Sequence, residues 1–277
     1  MSLLTSLRKL RHGPLRRAEA VWRPLGQLYR GTVAALPVDV TTQQSIGGYG
    51  PFRLSAHFAF SDFHHWGADH NNGFRALIEA CRGADCVFDV GAHIGLVCLP
   101  ASRLVTPGGR IYAFEPANAN LRYLRSHLRA NAIGNVEVVP TLVGAFDAEE
   151  IAFFEQAGPT GMNSVVRPRS GGDYRTVSRR QVSLDRFCAD RGLRPAVVKI
   201  DVEGAECSVI EGAREMLRTV RPKVFLSVHP GHLAVLGQDE SRLMELAASV
   251  GYVIEELDGS PVRTFRLAEY LMRPLDT

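Results

Sequence analysis

The stretch CVFDVGAHIG, residues 86–95, begins as an apolar run and ends in a turn that contains two glycines. This composition is typical of a buried strand that turns directly into a helix. Gly91 and Gly95 permit a tight turn and a close approach of the backbone to a ligand, and the following helix presents its free N–H groups at the same place. The stretch therefore predicts a ligand site at the end of a strand, where open parallel sheets bind their ligands.

From residue 76 onward the chain repeats this alternation of apolar runs and helical patterns. The further predicted strands are RIYAFEP (110–116), VEVVPTLVG (136–144), AVVKIDVEG (196–204), PKVFLSVHP (222–230) and YVIEEL (252–257). The helical patterns are ALIEACR (76–82), LVCLPASRL (96–104), NLRYLRSHLRAN (120–131), ECSVIEGAREMLRTV (206–220) and SRLMELAASVG (241–251). Strands separated by helices of this length indicate βαβ units, so we expect an α/β fold with a doubly wound, mostly parallel sheet.

Two segments modify this pattern. Pro100 lies inside a helical pattern and predicts a helix that is kinked or shortened there. The run TFRLAEYLMRP (264–274) predicts one more strand, which we expect at an edge of the sheet.

Composition divides the chain into three regions. Residues 1–36 form a basic helical arm, residues 37–75 a Gly-, aromatic- and His-rich elaboration that we expect to face the substrate, and residues 76–277 the main domain. An insertion at 144–183 interrupts the main domain. Within it, IAFFEQ and NSVVRP predict a short antiparallel pair, and the Arg-rich, Gly-containing stretch that follows predicts either a mobile lid or a solvated loop.

Composition also bounds the class of protein. The chain has 277 residues and 45% apolar content, and its five cysteines form no CxxC pair, which argues against a disulfide framework and a zinc site. The apolar runs are far shorter than the roughly 20 residues of a membrane span, and the first residues do not resemble a secretory signal. We therefore expect a cytoplasmic protein, and the net charge of +3 does not indicate a nucleic-acid partner.

The basic arm leaves two interpretations open. Leucines recur at helical spacing among the basic residues of its first ten positions, and residues 1–31 hold seven Arg or Lys against one acid. Such a helix either caps the domain with a solvated basic face or makes peripheral contact with the inner face of a membrane.

The turn after Asp89 also discriminates between nucleotide ligands. A dinucleotide fingerprint places glycine at the first, third and sixth positions, whereas this turn has Gly91, His93 and Leu96, which disfavours an NAD-dependent oxidoreductase. Glu115 ends the next strand, where a carboxylate accepts the hydroxyl hydrogens of a ribose, although it is also placed to favour the start of the following helix. An acid before the first glycine repels a pyrophosphate and suits a ligand with a positive charge, as in S-adenosylmethionine.

Four motifs occur in an order that carries a family resemblance: DVGAHIG (89–95), YAFEP (112–116), VSLD (182–185) and KIDVEGAE (199–206). Together they resemble the FkbM-type family of S-adenosylmethionine-dependent methyltransferases, over roughly residues 84–258. The resemblance implies a class I, Rossmann-like methyltransferase fold and O-methylation of a hydroxyl of a carbohydrate, glycolipid or other natural product. A non-catalytic nucleoside-binding module of the same fold is the alternative.

The resemblance also implies which residues bind the cofactor S-adenosylmethionine. Glu115 would bind its ribose, and the turn GMNS would close over the site through Asn163 and Ser164. The residues expected along its methionine portion are Asp89, Gly91, Ala92, His93 and Gly95. His93 stands where the family more often has Asn, and Ser227 stands where an acid is frequent.

The motif KIDVEGAE predicts the chemistry. Side chains alternate along a strand, so Lys199, Asp201 and Glu203 would share one side of the extended segment. Asp201 is the best-placed base for a hydroxyl proton, Lys199 would orient it, and Glu203 would bind a further substrate hydroxyl or the amino group of the cofactor. His229, at the end of the next strand, is a rival base.

Two simpler interpretations accompany this one. Asp201 or Glu203 is also placed to cap the helix that begins near Ala205, and Glu206 is expected to be a first-turn helix acid. The cluster FHHWGADH (63–70) offers His64, His65, Asp69 and His70 as metal ligands, but it has no helical HExxH spacing, so no metal site is predicted.

Overall fold

The computed structural model describes residues 40–68, 71–167 and 173–275, together with Gly26, Tyr29 and Gly31. The predicted helix of the basic arm and two members of the His-rich cluster, Asp69 and His70, lie outside the described residues. Among the described residues, no helix has both the length and the apolar character needed to cross a membrane.

The described chain forms twelve strands and eight α-helices. The strands are β1 (Thr41–Ile46), β2 (Tyr49–Ser55), β3 (Cys86–Val90), β4 (Arg110–Phe114), β5 (Val136–Val139), β6 (Leu142–Val143), β7 (Ala148–Gln156), β8 (Tyr174–Val182), β9 (Val197–Ile200), β10 (Lys223–Val228), β11 (Tyr252–Glu255) and β12 (Ala268–Pro274). The helices are α1 (Phe74–Ala80), α2 (Cys98–Ala101), α3 (Asn118–Ala130), α4 (Leu184–Arg191), α5 (Glu206–Glu211), α6 (Arg214–Val220), α7 (Pro230–Val235) and α8 (Glu240–Ser249).

A seven-stranded sheet of order β11-β12-β10-β9-β3-β4-β5 forms the centre of the molecule. The five strands from β10 to β5 run parallel, whereas β12 is antiparallel to both of its neighbours. Because the apolar runs of β3 and β9 are buried on both faces, they support one core with α1 to α3 and a second with α4, α5, α6 and α8. The predicted doubly wound, mostly parallel α/β fold is confirmed.

The order of the strands reverses between β3 and β9. From β3 the chain proceeds through β4 to β5, and β9 and β10 lie on the opposite side of β3. Asp89 and Lys199 are register partners across this junction. A crevice at such a switch point is where doubly wound sheets bind ligands.

The prediction of an edge position for the last strand was wrong. β12 lies between β11 and β10, and its Tyr270 and Met272 are fully buried. The run carries these large side chains at alternate positions, so an interior strand buries them against the second core, which an edge strand would do less completely. The edge is instead taken by the shorter β11.

The described residues of the insertion also form a different pairing from the one predicted. IAFFEQ lies in β7, as expected, but its partner is β8, and NSVVRP contributes only an isolated bridge between Ser164 and Phe154. Arg175 and Arg179 lie on β8, and both pair with Glu155, which is 1% exposed, at 2.6 and 2.7 Å. A buried carboxylate requires such partners, and this one neutralises part of the basic stretch.

The β1–β2 hairpin packs behind the turn that follows β3. His127 on α3 is fully buried; its Nε2 accepts the Ser55 N–H at 2.9 Å, and its Nδ1 lies 2.9 Å from the carbonyl of Ile94. Ile46, Phe52 and other hairpin residues belong to the core of that face of the sheet. One imidazole thus ties the hairpin to the backbone of the turn.

Two helices differ from the predicted patterns for visible reasons. The helix that contains Pro100 is a single turn, α2, as the proline predicts. The predicted helix over 206–220 is divided into α5 and α6 at Gly212, where the backbone of Gly144 passes so close that a Cβ on Gly212 would lie 2.0 Å from the Gly144 carbonyl oxygen.

We expect the substitution Gly212→Ala to lower the free energy of unfolding by about 3 kcal/mol, because the added methyl group meets backbone that cannot rotate away. Urea denaturation measures this value. Gly134→Ala is the matched control, since a Cβ there meets nothing within 4 Å and a change of at most about 0.5 kcal/mol is expected. Equal stabilities for the two variants would contradict the contact.

Candidate active site

A cavity of about 1330 Å³ opens at the carboxyl ends of the parallel strands, on the switch point between β3 and β9. One end is lined by Glu115, Asn120 and Thr141 beside apolar side chains. The other end reaches Trp66, Asn71, Glu256 and further residues of the outer loops. Between them lie the ends of β9 and β10, which carry the charged residues that the sequence singled out. These are Lys199, Asp201, Glu203 and His229.

The turn after β3 touches the end of β9 directly. Gly91 has a φ of +82°, and a Cβ on it would lie 1.9 Å from the carbonyl oxygen of Asp201, so only glycine fits. The N–H groups of Gly91 and Ala92 both donate to the carbonyl of Phe114 at the end of β4. Gly91, Ala92 and His93 line the cavity, as expected for a turn that approaches a ligand.

Glu115 ties this turn to the start of α3. Its Oε2 accepts the His93 N–H at 2.8 Å, and its Oε1 accepts the Ala117 N–H at 2.8 Å and the side-chain amide of Asn120 at 3.2 Å. Burial raises the pKa of Glu115 to about 7, although these donors oppose the rise. Three of about four lone-pair sites of the carboxylate are filled, so one remains for a ligand hydroxyl and not the two expected from the sequence.

Asn120 is a site residue that the sequence analysis missed. It is 2% exposed, donates to both Glu115 and the Thr160 carbonyl, and accepts the Thr160 N–H at 3.1 Å. It therefore joins the carboxylate to the loop before Asn163, which also lines the cavity. The sequence did contain an indication of this role, because Asn120 is a polar residue on the apolar face of α3.

Three of the expected cofactor residues, Asp89, Gly95 and Ser164, lie outside the cavity lining. Asp89 is fully buried beneath the turn, where its Oδ1 lies 3.2 Å from Lys199 Nζ and its Oδ2 accepts the thiol hydrogen of Cys98 at 3.0 Å. Gly95 faces α3, and a Cβ on it would lie 2.8 Å from a methyl carbon of Leu124. Asp89 thus acts on the cavity through Lys199, and Gly95 permits helix packing.

Ser164 also differs from its expected position. It is 4% exposed and its hydroxyl donates to the carbonyl of Glu203 at 2.6 Å, so it holds the turn after β9 from behind. Asn163 remains at the cavity wall and accepts the Gln156 N–H through its side chain.

Lys199 links the turn to the end of β9. Its Nζ donates to the Gly91 carbonyl at 2.8 Å and lies 3.5 Å from Asp201 Oδ2. Burial alone would lower the pKa of Lys199, but the charges of Asp89 and Asp201 outweigh it and hold the pKa above its ordinary value. The ammonium group therefore stays charged across the physiological range.

Glu203 lines the cavity, but not because side chains alternate along an extended strand, as the sequence analysis expected. β9 ends at Ile200, and Glu203 lies in the turn that follows, with a φ of +52°. Its Oε1 is nevertheless 3.5 Å from His229 Nε2, and Asp201 Oδ1 is 3.7 Å from the same nitrogen. Burial raises the pKa of Glu203 to about 7, and the charge of His229 partly offsets this rise.

Glu206 has a role that the sequence analysis missed. It is the first residue of α5, as expected, but it is fully buried and its Oε1 lies 2.6 Å from His229 Nδ1. The two residues come from different strand–helix junctions, so their spacing in the sequence gave no signal. The N-cap of α5 is Ala205, without a side-chain cap, so the capping interpretation of Asp201 and Glu203 was wrong.

His229 is consequently not an ordinary imidazole. Burial alone would lower its pKa, but the hydrogen bond to Glu206 and the charges of Glu203 and Asp201 raise the pKa to about 9. In the arrangement described, His229 carries a proton at neutral pH, which disfavours it as the base that accepts a hydroxyl proton.

Comparison with known proteins places this geometry in context. Residues 89–254 match the Methyltransferase FkbM domain. The 31-O-demethyl-FK506 methyltransferase FkbM of Streptomyces tacrolimicus is 29% identical over 163 residues, which cover 48% of this chain and 61% of that protein. The hexuronic acid methyltransferase AglP of Haloferax volcanii is 27% identical over 159 residues, which cover 57% of this chain and 61% of that protein. The chain thus spans about 61% of the length of these relatives.

Solved structures resemble the chain more distantly. The methyltransferase FkbM of Methylobacillus flagellatus is 17% identical, with coverage of 93% of this chain and 60% of that one and a TM-score of 0.45. A precorrin-6y C5,15-methyltransferase of Geobacter metallireducens is 16% identical, with coverage of 73% and 87% and a TM-score of 0.43.

We expect the substitution Glu206→Gln to lower the pKa of His229 from about 9 by more than about one unit, because a neutral amide no longer stabilises the imidazolium. An NMR titration of the histidine ring signals measures this shift. Glu211→Gln, at the other end of α5, is the control and should leave the His229 pKa unchanged. An unaltered pKa in Glu206→Gln would contradict the pairing.

Proposed function

Because the chain belongs to the FkbM methyltransferase family, we propose that it is an S-adenosylmethionine-dependent O-methyltransferase. Its proposed acceptor is a hydroxyl of a carbohydrate, glycolipid or other natural product. The observation that carries the proposal is a single cavity that joins a nucleoside-type end, at Glu115, to a group of carboxylates and imidazole on the neighbouring strand ends. The names of the two relatives, one for a 31-O-demethyl compound and one for hexuronic acid, support an oxygen acceptor.

The residues present fit the cofactor. Thr141 Oγ1 and His93 Nε2 are buried, have no hydrogen-bond partner among the described residues, and belong to residues that line the cavity. Leu142 and Phe153 provide apolar surface next to Glu115 for a purine ring. Burial lowers the pKa of His93 to about 4, so its ring is neutral and does not repel a positively charged ligand. Buried polar atoms without partners at a cavity wall are expected where a ligand supplies the missing bonds.

S-adenosylmethionine, when bound, supplies a methyl group on a positively charged sulfur and leaves as S-adenosylhomocysteine. The protein has to place the acceptor hydroxyl in line and receive its proton. We assign the proton to the carboxylates of Asp201 and Glu203, which face the same space. The pKa of Glu203, raised to about 7, suits proton transfer near neutral pH.

Lys199 and His229 have supporting roles in this proposal. Lys199 holds the outer oxygen of Asp201 while it donates to the turn at Gly91, so one ammonium group sets the distance between the cofactor turn and the base. A protonated His229 has no lone pair to accept a hydroxyl proton, so it acts on the two carboxylates by charge.

We expect Glu115→Ala to weaken binding of S-adenosylhomocysteine by more than about tenfold, because a buried acceptor and the contacts that it organises are lost. Calorimetric titration measures the affinity, and thermal denaturation checks that the variant is folded. Glu149→Ala, which removes an exposed carboxylate on the insertion sheet, is the control. Unchanged affinity in Glu115→Ala would remove the ribose assignment.

We expect Asp201→Asn to keep its affinity for S-adenosylhomocysteine and to reduce turnover by roughly two to four orders of magnitude. Release of S-adenosylhomocysteine in the presence of a panel of glycoside acceptors measures turnover. Asp190→Asn, which changes an exposed acid on α4, is the control. If the wild-type protein binds S-adenosylhomocysteine but shows no turnover with any acceptor, the non-catalytic module is favoured. If Asp201→Asn keeps full activity, Asp201 is not the base.

A further inference from the structure

Three polar atoms converge on one point of the cavity wall. His229 Nε2 lies 3.7 Å from Asp201 Oδ1 and 3.5 Å from Glu203 Oε1, and one ligand atom of each residue lies within 4.8 Å of the others. All three residues line the cavity. Two ligand atoms that bind one metal ion at ~2.1 Å, at angles of about 90–110°, lie about 3.0–3.5 Å apart. The two distances to His229 Nε2 are within a few tenths of an ångström of that spacing, and the ligand atoms of the two carboxylates lie within 4.8 Å of each other.

The second polar atom of Asp201, Glu203 and His229 points away from this group and lies close to another charged or polar side chain. Lys199 Nζ is 3.5 Å from Asp201 Oδ2, and His232 Nδ1 is 3.1 Å from Glu203 Oε2. Glu206 Oε1 is 2.6 Å from His229 Nδ1, the carboxylate–histidine pairing that orients imidazoles bound to metals. Glu206 therefore orients the imidazole of His229 by a hydrogen bond, and Lys199 lies at ion-pair distance from Asp201.

His229 faces the gap between the two carboxylates. The residue is 9% exposed, and its Nε2 lies at ion-pair distance from Asp201 Oδ1 and Glu203 Oε1 without a short hydrogen bond to either. Glu206 Oε2, in the fully buried carboxylate behind it, has no partner among the described residues. Buried polar atoms are almost always bonded, and a cation bound at Nε2 would offset the charge of this buried carboxylate.

We propose that Asp201, Glu203 and His229 bind one divalent transition-metal ion of the Mn²⁺ type at the wall of the cavity. Carboxylate oxygens suit Mn²⁺ and imidazole nitrogen suits the divalent transition metals, and the open side of the cavity leaves positions for water or an acceptor oxygen. When the ion binds, it displaces the proton from Nε2, so the effect of His229 by charge that is described above belongs to the site without the ion. Three carboxylates around one imidazole, with the charge of Lys199 shared with Asp89, leave an excess of negative charge that a dication offsets.

The role of the ion, but not the site itself, rests on the proposed function. A carboxylate is a weak base for an alcohol, whereas a metal ion beside the hydroxyl lowers the pKa of that hydroxyl and stabilises the charge on oxygen as the proton leaves. The site lies next to the turn at Gly91, where the reacting methyl group is expected.

Binding of Mn²⁺ alone tests the site. The full chain, stripped with EDTA, is titrated with MnCl₂ while the electron paramagnetic resonance signal of free Mn²⁺ is followed. We expect saturable, equimolar binding in the sub-millimolar range. Asp201→Asn and His229→Gln should each weaken it by at least about tenfold, and Glu206→Gln by about tenfold through the lost orientation of the imidazole. Glu203→Gln replaces Asp201→Asn if thermal denaturation shows that the latter is unfolded.

Asp258→Asn is the matched control, because it removes an exposed carboxylate from the same cavity but outside the three-residue group. An equal loss of Mn²⁺ affinity in Asp258→Asn and Asp201→Asn, or no saturable binding by the wild type, would overturn the proposal. Titration with S-adenosylhomocysteine is run in parallel. Mn²⁺ binding without S-adenosylhomocysteine binding would overturn the proposed function alone, and the reverse would overturn this inference alone.

Discussion

The buried ammonium group of Lys199 is the interaction on which the rest of the site depends. It lies where the strand order reverses and contacts Asp89 of β3, Asp201 at the end of β9 and the carbonyl of Gly91. Buried ion pairs contribute little net stability, because desolvation offsets most of the attraction, but an unpaired buried charge costs about 3–5 kcal/mol. The three groups therefore constrain one another, and the spacing between the two strand ends becomes a fixed property of the fold.

At the nucleoside end, a buried charged group is likewise held by contacts within the protein. Glu115 uses most of its acceptor capacity on its own protein, at His93, Ala117 and Asn120, before any ligand arrives. This arrangement fixes a carboxylate in an almost fully buried position at the cost of a raised pKa. Asn120 extends the network into the insertion at Thr160, and Arg179 of the insertion donates to the carbonyl of Pro116. The insertion sheet is thus anchored on both sides of the carboxylate.

Periodicity in the sequence predicted the central sheet well, because strands buried on both faces need continuous apolar runs and the helices between them need amphipathic ones. It failed where position depends on distant partners. The alternation of Tyr270 and Met272 shows which face of their strand is buried, but it does not show which strands lie on either side of it. Motif reasoning brought Asp201, Glu203 and His229 to one cavity, but it could not find the pairing of Glu206 with His229, which joins two separate strand–helix junctions. It also placed Asp89 at the ligand, whereas a charge one position before the strand end is enclosed by its neighbours.

Because the thiol of Cys98 is buried, its reaction with a modifying reagent can be used to follow motions of this site. It lies under the turn, donates to Asp89, and burial raises its pKa well above the ordinary value. All five cysteines are buried, so the native state presents no reactive thiolate to a modifying reagent. Reaction at Cys98 therefore requires a local opening that exposes the thiol, and its rate depends on how often the base of the ligand site opens in this way.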